Sequence, residues 1–371
     1  MEKENLIISN KVSHYELTLI PVIFLMIVIN CTNLTYTIPY KLYIFGLLLL
    51  IMTTFFLFKT ITVKHTFKGM IIGLFIMSLG IFNGVRGDSE FMLLCLFSLY
   101  ISYISWKVVV KLYLIASITS VLFICVLSLL GILPVGTPGS FQFGFINSNV
   151  IGFIITMIII EIIVLSWKRV TACKVFLYAG VVLIIYKLFN DSTSFIGLII
   201  LGIIYILFTF LETNKTFIVF LKVIALLLPI LGTFLSLWLA KSYGKTSFSL
   251  KINDILSMRP QIWNFFLNAF PPKILSQSIQ IITDGTQTFV GGGAFDGGYI
   301  EGLIYHGWFS FLLIIFALEY LIVKLFQHNN YELISCFIAL LIIAFTEGTP
   351  FNGFQSFMIP MAFASLYSDY Q

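Results

Sequence analysis

Residues 217–240 read FIVFLKVIALLLPILGTFLSLWLA, 24 positions interrupted by a single charge, Lys222. As an α-helix this stretch is about 36 Å long at 1.5 Å per residue, more than the ~30 Å hydrocarbon core of a bilayer. A second stretch, LYIFGLLLLIMTTFFLF at 42–58, carries no charge at all. The whole chain follows suit. Of its 371 residues, 59% are hydrophobic and only 10% charged, and the mean hydropathy is +1.05. A soluble domain carries roughly a quarter charged residues, so charge this sparse cannot coat a globule of this length. The expected class is an all-α polytopic membrane protein, a single integral membrane domain over 1–371.

Hydropathy predicts about twelve spans, at 17–34, 42–58, 67–83, 91–106, 112–134, 149–167, 175–190, 193–211, 217–240, 302–325, 331–347 and 350–367. The first sixteen residues are polar, and the first apolar run lacks a small-residue cleavage site, so it reads as a signal anchor. The five cysteines at 31, 95, 125, 173 and 336 form no CxxC pair, so neither a disulfide framework nor a zinc site is expected. No cofactor is expected either. The net charge of +5 does not point to nucleic acid; its distribution is the informative part.

With the N-terminus in the cytoplasm, thirteen of the 21 lysines and arginines fall in cytoplasmic segments, and the short outer loops hold Lys41, Arg86 and Lys187. The long loop at 241–301 holds the rest, and long loops count little in the positive-inside rule. Both termini are therefore expected in the cytoplasm, the protein in the plasma membrane, and the long loop on the extracytoplasmic side. Within that loop, LKINDILSMRPQIWNFFLNAFPP (250–272) has apolar residues near helical spacing. Pro260 suits a first turn, and Pro271 and Pro272 stop the helix. Trp263 and the phenylalanines predict an interfacial helix flat on the membrane surface.

On this topology the polar groups gather at the outer face. His306 is the one histidine there, and Asp296, Glu301 and Glu347 lie at outer span ends. FGFINSN (143–149) brings Asn147 and Asn149 to the start of the sixth span. Charges at membrane depth are costly unless they face a cavity or a partner, so this clustering predicts a polar site. Each residue also has a plainer reading. Arg86, Asp88 and Glu90 suit a solvated turn. Asn149 suits a helix N-cap, Asp296 a cap of the next span, and Glu347 a helix end. Glu161 suits either a substrate pathway or an interhelical hydrogen bond. Gly291–Gly293 permit loop movement and lack the lysine of a phosphate-binding loop.

Four segments occur in a telling order: FGFINSNVIGFII (143–155), STSFIGLIILGIIY (192–205), MRPQIWNFFLNAF (258–270) in the long loop, and DGGYIEGLIYHGW (296–308) opening a span. Over roughly 140–350 the chain resembles the O-antigen polymerase/ligase superfamily, particularly the Wzy-type polymerases of capsular and exopolysaccharide clusters. The resemblance implies a GT-C-like glycosyltransferase acting at the outer face. It would join oligosaccharide repeat units carried on undecaprenyl diphosphate, which serve as donor and acceptor, and membrane lipid and a chain-length regulator would be its other partners. Arg259 matches the family's loop arginine, Asp296 and Tyr299 its Asp-x-x-Tyr, Asn149 the Asn after its GF, and Glu347 a late acidic position. Two departures stand out: SFQFGF (140–145) lacks the arginine before GF, and STSF (192–195) replaces Ser-Arg. Diphosphate recognition is then expected to lean on Arg259, with Arg86, Lys241, Lys245 and Lys273 as helpers. Asp296 is expected as the catalytic base, Tyr299 to orient the acceptor and His306 to support the base. The alternatives are the sister ligase activity and a lipid-linked sugar flippase or transporter.

Overall fold

The computed structural model describes residues 16–32, 34, 46–47, 50–51, 53–54, 67–137, 140–167, 171–189, 191–211, 213–277, 279 and 295–367. Most of the predicted second span, the glycines 291–293, His14, His65, Lys41, Lys168 and Arg169 lie outside these.

The described chain is helical: α1 (Leu19–Cys31), α2 (Phe67–Val85), α3 (Ser89–Ile101), α4 (Trp106–Leu129), α5 (Ser148–Leu165), α6 (Ala172–Phe189), α7 (Ser192–Leu211) and α8 (Lys215–Ser242). Two short helices follow, α9 (Ser247–Ile255) and α10 (Arg259–Ala269), then α11 (Gly298–Gln327), α12 (Tyr331–Ile343) and α13 (Met358–Tyr367). The described extended structure is one small ladder before α5, Gly136–Thr137 paired antiparallel with Ser140–Phe141, and an isolated antiparallel bridge between Thr32 and Phe145. Helices satisfy their own backbone groups, which is what a lipid environment demands. Among the described residues, α2, α4, α5, α8 and α11 are long and apolar enough to cross a membrane, and shorter apolar helices stand beside them. This is consistent with a multi-pass membrane protein.

Burial separates centre from rim. Helices α3, α12 and α13 are buried along nearly their whole length. Helix α8 presents Val219, Phe220, Val223, Leu227, Ile230 and Phe234 outward, apolar side chains that suit a lipid-facing rim. Helix α13 packs on α3 and α11, and α12 on α7 and α8.

Three of the differences from expectation bear on the site, each for a local reason. The predicted last span begins at 350, but Thr349–Phe351 is a 3₁₀ turn and helix resumes only at Met358. Asn352 Oδ1 accepts from the Phe354 amide, and Ser356 Oγ from the Met358 amide. These side-chain bonds turn the intervening backbone away from a helix. The span expected from 302 starts at Gly298 and breaks at Gly307, where φ is 75° and ψ 168°. The predicted interfacial helix is two helices, parted at Ser257 and Met258, both with positive φ. Its apolar residues divide: Leu250, Ile255 and Phe265 are exposed, while others pack inward. Trp263 is fully buried, and with Ile262 and Phe266 it forms a second small core against Leu239, Phe295, Ile300 and Ile304. An indole N–H needs a partner when buried, and Trp263 Nε1 donates to the Asp296 carbonyl at 2.5 Å.

Candidate functional site

The break in α11 organises the site. A broken helix leaves backbone donors and acceptors unpaired, and here the segment 273–277 takes them up. Trp308 N donates to Lys273 O and Phe309 N to Ile274 O, both at 2.9 Å, while Gln277 N donates to Tyr305 O at 3.1 Å. A Cβ on Gly307 would collide with the Leu275 backbone, so the approach requires glycine. Arg86 holds the other side of this segment, its Nε donating to Ser276 O at 3.2 Å.

Before the break, Gly298–His306 forms a half-helix whose N-terminus abuts the end of α12. Gly298 N donates to Ala344 O at 2.9 Å and to Glu347 O at 3.1 Å. Residues three and four apart share a helix face, so Gly298, Glu301, Gly302 and Tyr305 line one side of a cavity of about 390 Å³. That volume lies within the range of small-molecule sites. The cap and first turn of α3 supply Asp88 and Glu90 to the wall, and the segment after α12 supplies Asn352 and Gln355. Asp296 and His306 line it as well.

His306 Nδ1 is 2.7 Å from Asp88 Oδ2. The other Asp88 oxygen caps α3, accepting from Phe91 N at 3.0 Å, so the carboxylate is fixed from both sides. With Nδ1 committed to Asp88, Nε2 is the ring nitrogen left to exchange a proton.

Beside the cavity stands a second cluster. Arg259 opens α10 and reaches the carboxyl end of α12, where partial negative charge favours a cation. Its Nε donates to Thr346 O at 2.6 Å, its Nη2 bonds Glu347 Oε1, and Asp296 Oδ2 lies 3.8 Å from the same nitrogen. Asp191 joins electrostatically from the turn before α7. Three carboxyl groups thus share one guanidinium. Burial pushes Asp191 above the ordinary carboxylate range, opposed by its bonds to Ser194 and Thr193 and by Arg259. Burial and then Asp296 raise Glu347 against the pull of Arg259. Burial raises Asp296 too, with Arg259 opposing and Asp191 adding; 35% of its side chain is exposed, and water moderates that shift.

The sequence-predicted residues sort plainly. Asp296, Glu301 and His306 meet at the cavity, and Arg259 and Glu347 stand next to it. Tyr299 does not join them: its ring is buried against Phe351 and its hydroxyl donates to Leu341 O at 3.0 Å, leaving no donor for an acceptor sugar. Arg86 lies over the Phe82 ring and serves the 273–277 segment. Asn147, rather than Asn149, caps α5, accepting from Val150 N at 2.8 Å, and neither asparagine lines the cavity. Asp296 is held by Trp263 at its backbone and Arg259 at its side chain, where the sequence predicts a movable segment. The residue that sequence reasoning passed over is Asp88, read there as part of a solvated turn. Among the described residues, no group of three or more His, Cys, Asp or Glu side chains is arranged to hold a metal ion.

No family model matches this chain, and no curated protein and no solved structure matches it significantly.

Proposed function

We propose that the protein is a membrane glycosyltransferase of polysaccharide assembly, with a GT-C-like bundle of about twelve spans. In this reading it joins oligosaccharide repeat units carried on undecaprenyl diphosphate at the outer face of the cell membrane. One observation carries it: the His306–Asp88 pair lies on the wall of a polar cavity, and the Arg259 cluster lies beside it. A glycosyl transfer needs a base for the acceptor hydroxyl and a positive charge for the departing diphosphate. The order of the four segments, read as a resemblance to the O-antigen polymerase/ligase superfamily, supports the same reading.

The acceptor hydroxyl gives its proton to His306 Nε2. The freed oxygen bonds to the donor's anomeric carbon. The bond from that carbon to the diphosphate oxygen breaks, and its electron pair leaves with the lipid diphosphate. Asp88 orients the ring and stabilises the imidazolium. This assignment reverses the sequence expectation, because Asp296 is engaged with Arg259 whereas His306 has an orienting carboxylate. Arg259 must be released by Glu347 before it can grip a diphosphate. Proton uptake by Glu347, whose carboxyl is already raised by burial and by Asp296, provides that release.

A lipid-linked sugar transporter is the second reading, favoured by Glu161. This carboxyl is fully buried in α5 and neither oxygen has a hydrogen-bond partner, as in proton or substrate pathways of membrane proteins. Arg259→Ala separates the two. Losing charge-assisted bonds of roughly 1.5–3 kcal/mol slows transfer by about one to two decades. Long glycan then disappears while single lipid-linked repeats persist at the outer face. Normal-length polymer from a normally expressed Arg259→Ala overturns the assignment, and loss of single repeats from the outer face favours transport.

A further inference from the structure

Helix α9 is amphipathic in the opposite sense to a helix that faces water. Ser249 and Asn253 point inward, 3% and 4% exposed, while Phe248 is 56% and Ile255 73% exposed. A helix on a watery surface turns its apolar stripe inward and its polar residues out. The inward polar groups have a purpose of their own. Thr246 and Ser249 form a capping box, and Asn253 Oδ1 accepts from Gln261 N at 3.0 Å, which joins α9 to α10. The exposed apolar side chains are a separate feature.

Their arrangement points to a boundary between two media. Each residue of an α-helix advances about 100° around the axis. Phe248 and Ile255, seven apart, therefore share one flank of α9, and Ser247 and Asp254 share another about 100° away. All four are exposed. Docked inward through Ser249 and Asn253, the helix thus has one apolar and one polar flank, the profile of a helix lying in a lipid–water interface. Leu250, exposed by itself toward the polar side, is an ordinary surface residue.

The surroundings identify the medium on the apolar flank. Helix α8 leads into α9 through residues 243–246 alone, and its last turns expose Phe234, Leu235 and Trp238. These continue the lipid-facing rim, and tryptophan is enriched where hydrocarbon meets water. Over 241–256 the chain carries Lys241, Lys245 and Lys251 against the single acid Asp254, and the three lysines are exposed. That balance complements lipid phosphates, which lysines reach by laying their stems along apolar surface.

We propose that α9 lies in the extracytoplasmic leaflet, with Phe248 and Ile255 among the acyl chains and the three lysines at the phosphates. The inference goes beyond the reaction proposed above and does not depend on it. It has a consequence for Arg259. Met258 N donates to Asn253 O at 2.8 Å, and the Asn253 side chain holds Gln261. The seat of α9 in the leaflet therefore sets the level of Arg259, which stands between those two residues, near the lipid phosphates.

The test uses the full-length protein in phospholipid nanodiscs, with the native cysteines replaced and one nitroxide label at a time on Ser247→Cys, Phe248→Cys, Asp254→Cys or Ile255→Cys. Collision of each label with oxygen, which concentrates in hydrocarbon, is compared with collision with a water-soluble nickel chelate. Labels at 248 and 255 should give an oxygen-to-nickel ratio severalfold above those at 247 and 254. Adding Lys245→Gln and Lys251→Gln should lower the ratio at 248 and 255, and an unchanged ratio there overturns the role given to the lysines. High nickel collision at all four positions overturns the proposal, because α9 then stands in water. Labels at 248 and 255 shielded from both reagents also overturn it, because protein, such as a second copy of the chain, then covers the flank.

Discussion

His306 Nδ1 and Asp88 Oδ2 lie 2.7 Å apart although 218 residues of chain separate them. The contact joins the half-helix of α11 to the α2–α3 turn at the cavity wall. Asp88→Asn keeps a side-chain oxygen for the α3 cap but removes the charge opposite the imidazole. A lost charge-assisted bond of roughly 1.5–3 kcal/mol is expected to lower kcat by about one to two decades with little change in KM. An unchanged kcat would reduce Asp88 to a helix cap.

Gly307→Ala is expected to destabilise the fold. The observed φ of 75° with ψ of 168° belongs to a region essentially reserved for glycine, with a strain of order 1–3 kcal/mol for other residues. The new Cβ also meets the Leu275 backbone. A lower thermal midpoint of the detergent-solubilised protein checks this, together with faster proteolysis between 270 and 280. A wild-type midpoint would mean that the 273–277 segment is not docked on the break.

Asp191 carries a pH signature. Its folded carboxyl is raised above the ordinary value by burial. Its stabilising contribution is therefore fully present below the unfolded value near 4 and is lost as pH rises through the folded value. Asp191→Asn retains the oxygen that accepts from Thr193 and Ser194 and removes the titration. Thermal melts should show the variant more stable than wild type at pH 7–8, with the advantage gone near pH 4. The opposite slope would mean that Arg259 outweighs burial.

Sidedness is checked by thiol labelling. Ser89 lies on the exposed edge of the α2–α3 turn and Thr213 in the exposed turn before α8, at opposite ends of the bundle by helix alternation. With the native cysteines replaced, Ser89→Cys should react with an impermeant reagent in intact cells and Thr213→Cys should not. The reverse pattern puts the cavity in the cytoplasm.

What the sequence disclosed was mainly what composition controls. Residues 217–240 are apolar nearly throughout, so their helix could be read without knowing a neighbour. The start of α13 was placed too early, because Phe351, Phe354 and Phe357 keep the preceding segment apolar in appearance, while the Asn352–Gly353 turn signal and the Asn352 and Ser356 side-chain bonds set the boundary. Trp263 looked like a membrane-surface residue; its burial depends on the Asp296 carbonyl, 33 residues away. Asp296, Glu301 and His306 were legible as a site because charge is rare in such a chain. Asp88 was not, since an aspartate ahead of a helix is fully explained as a cap and its second partner is distant. The available signal was the coincidence of that cap with His306 at the same predicted face.

The most direct measurement is in vitro polymerisation of a purified undecaprenyl-diphosphate-linked repeat unit, following both the product ladder and the release of lipid diphosphate. Wild-type protein should extend the glycan and release one lipid diphosphate per bond formed. His306→Gln should lose about 10²–10⁴ in rate, as removal of a general base does, and Asp296→Asn should lose less. A dead Asp296→Asn beside an active His306→Gln would return the base to Asp296. No ladder from folded wild-type protein, or a ladder without lipid diphosphate release, would contradict glycosyl transfer itself.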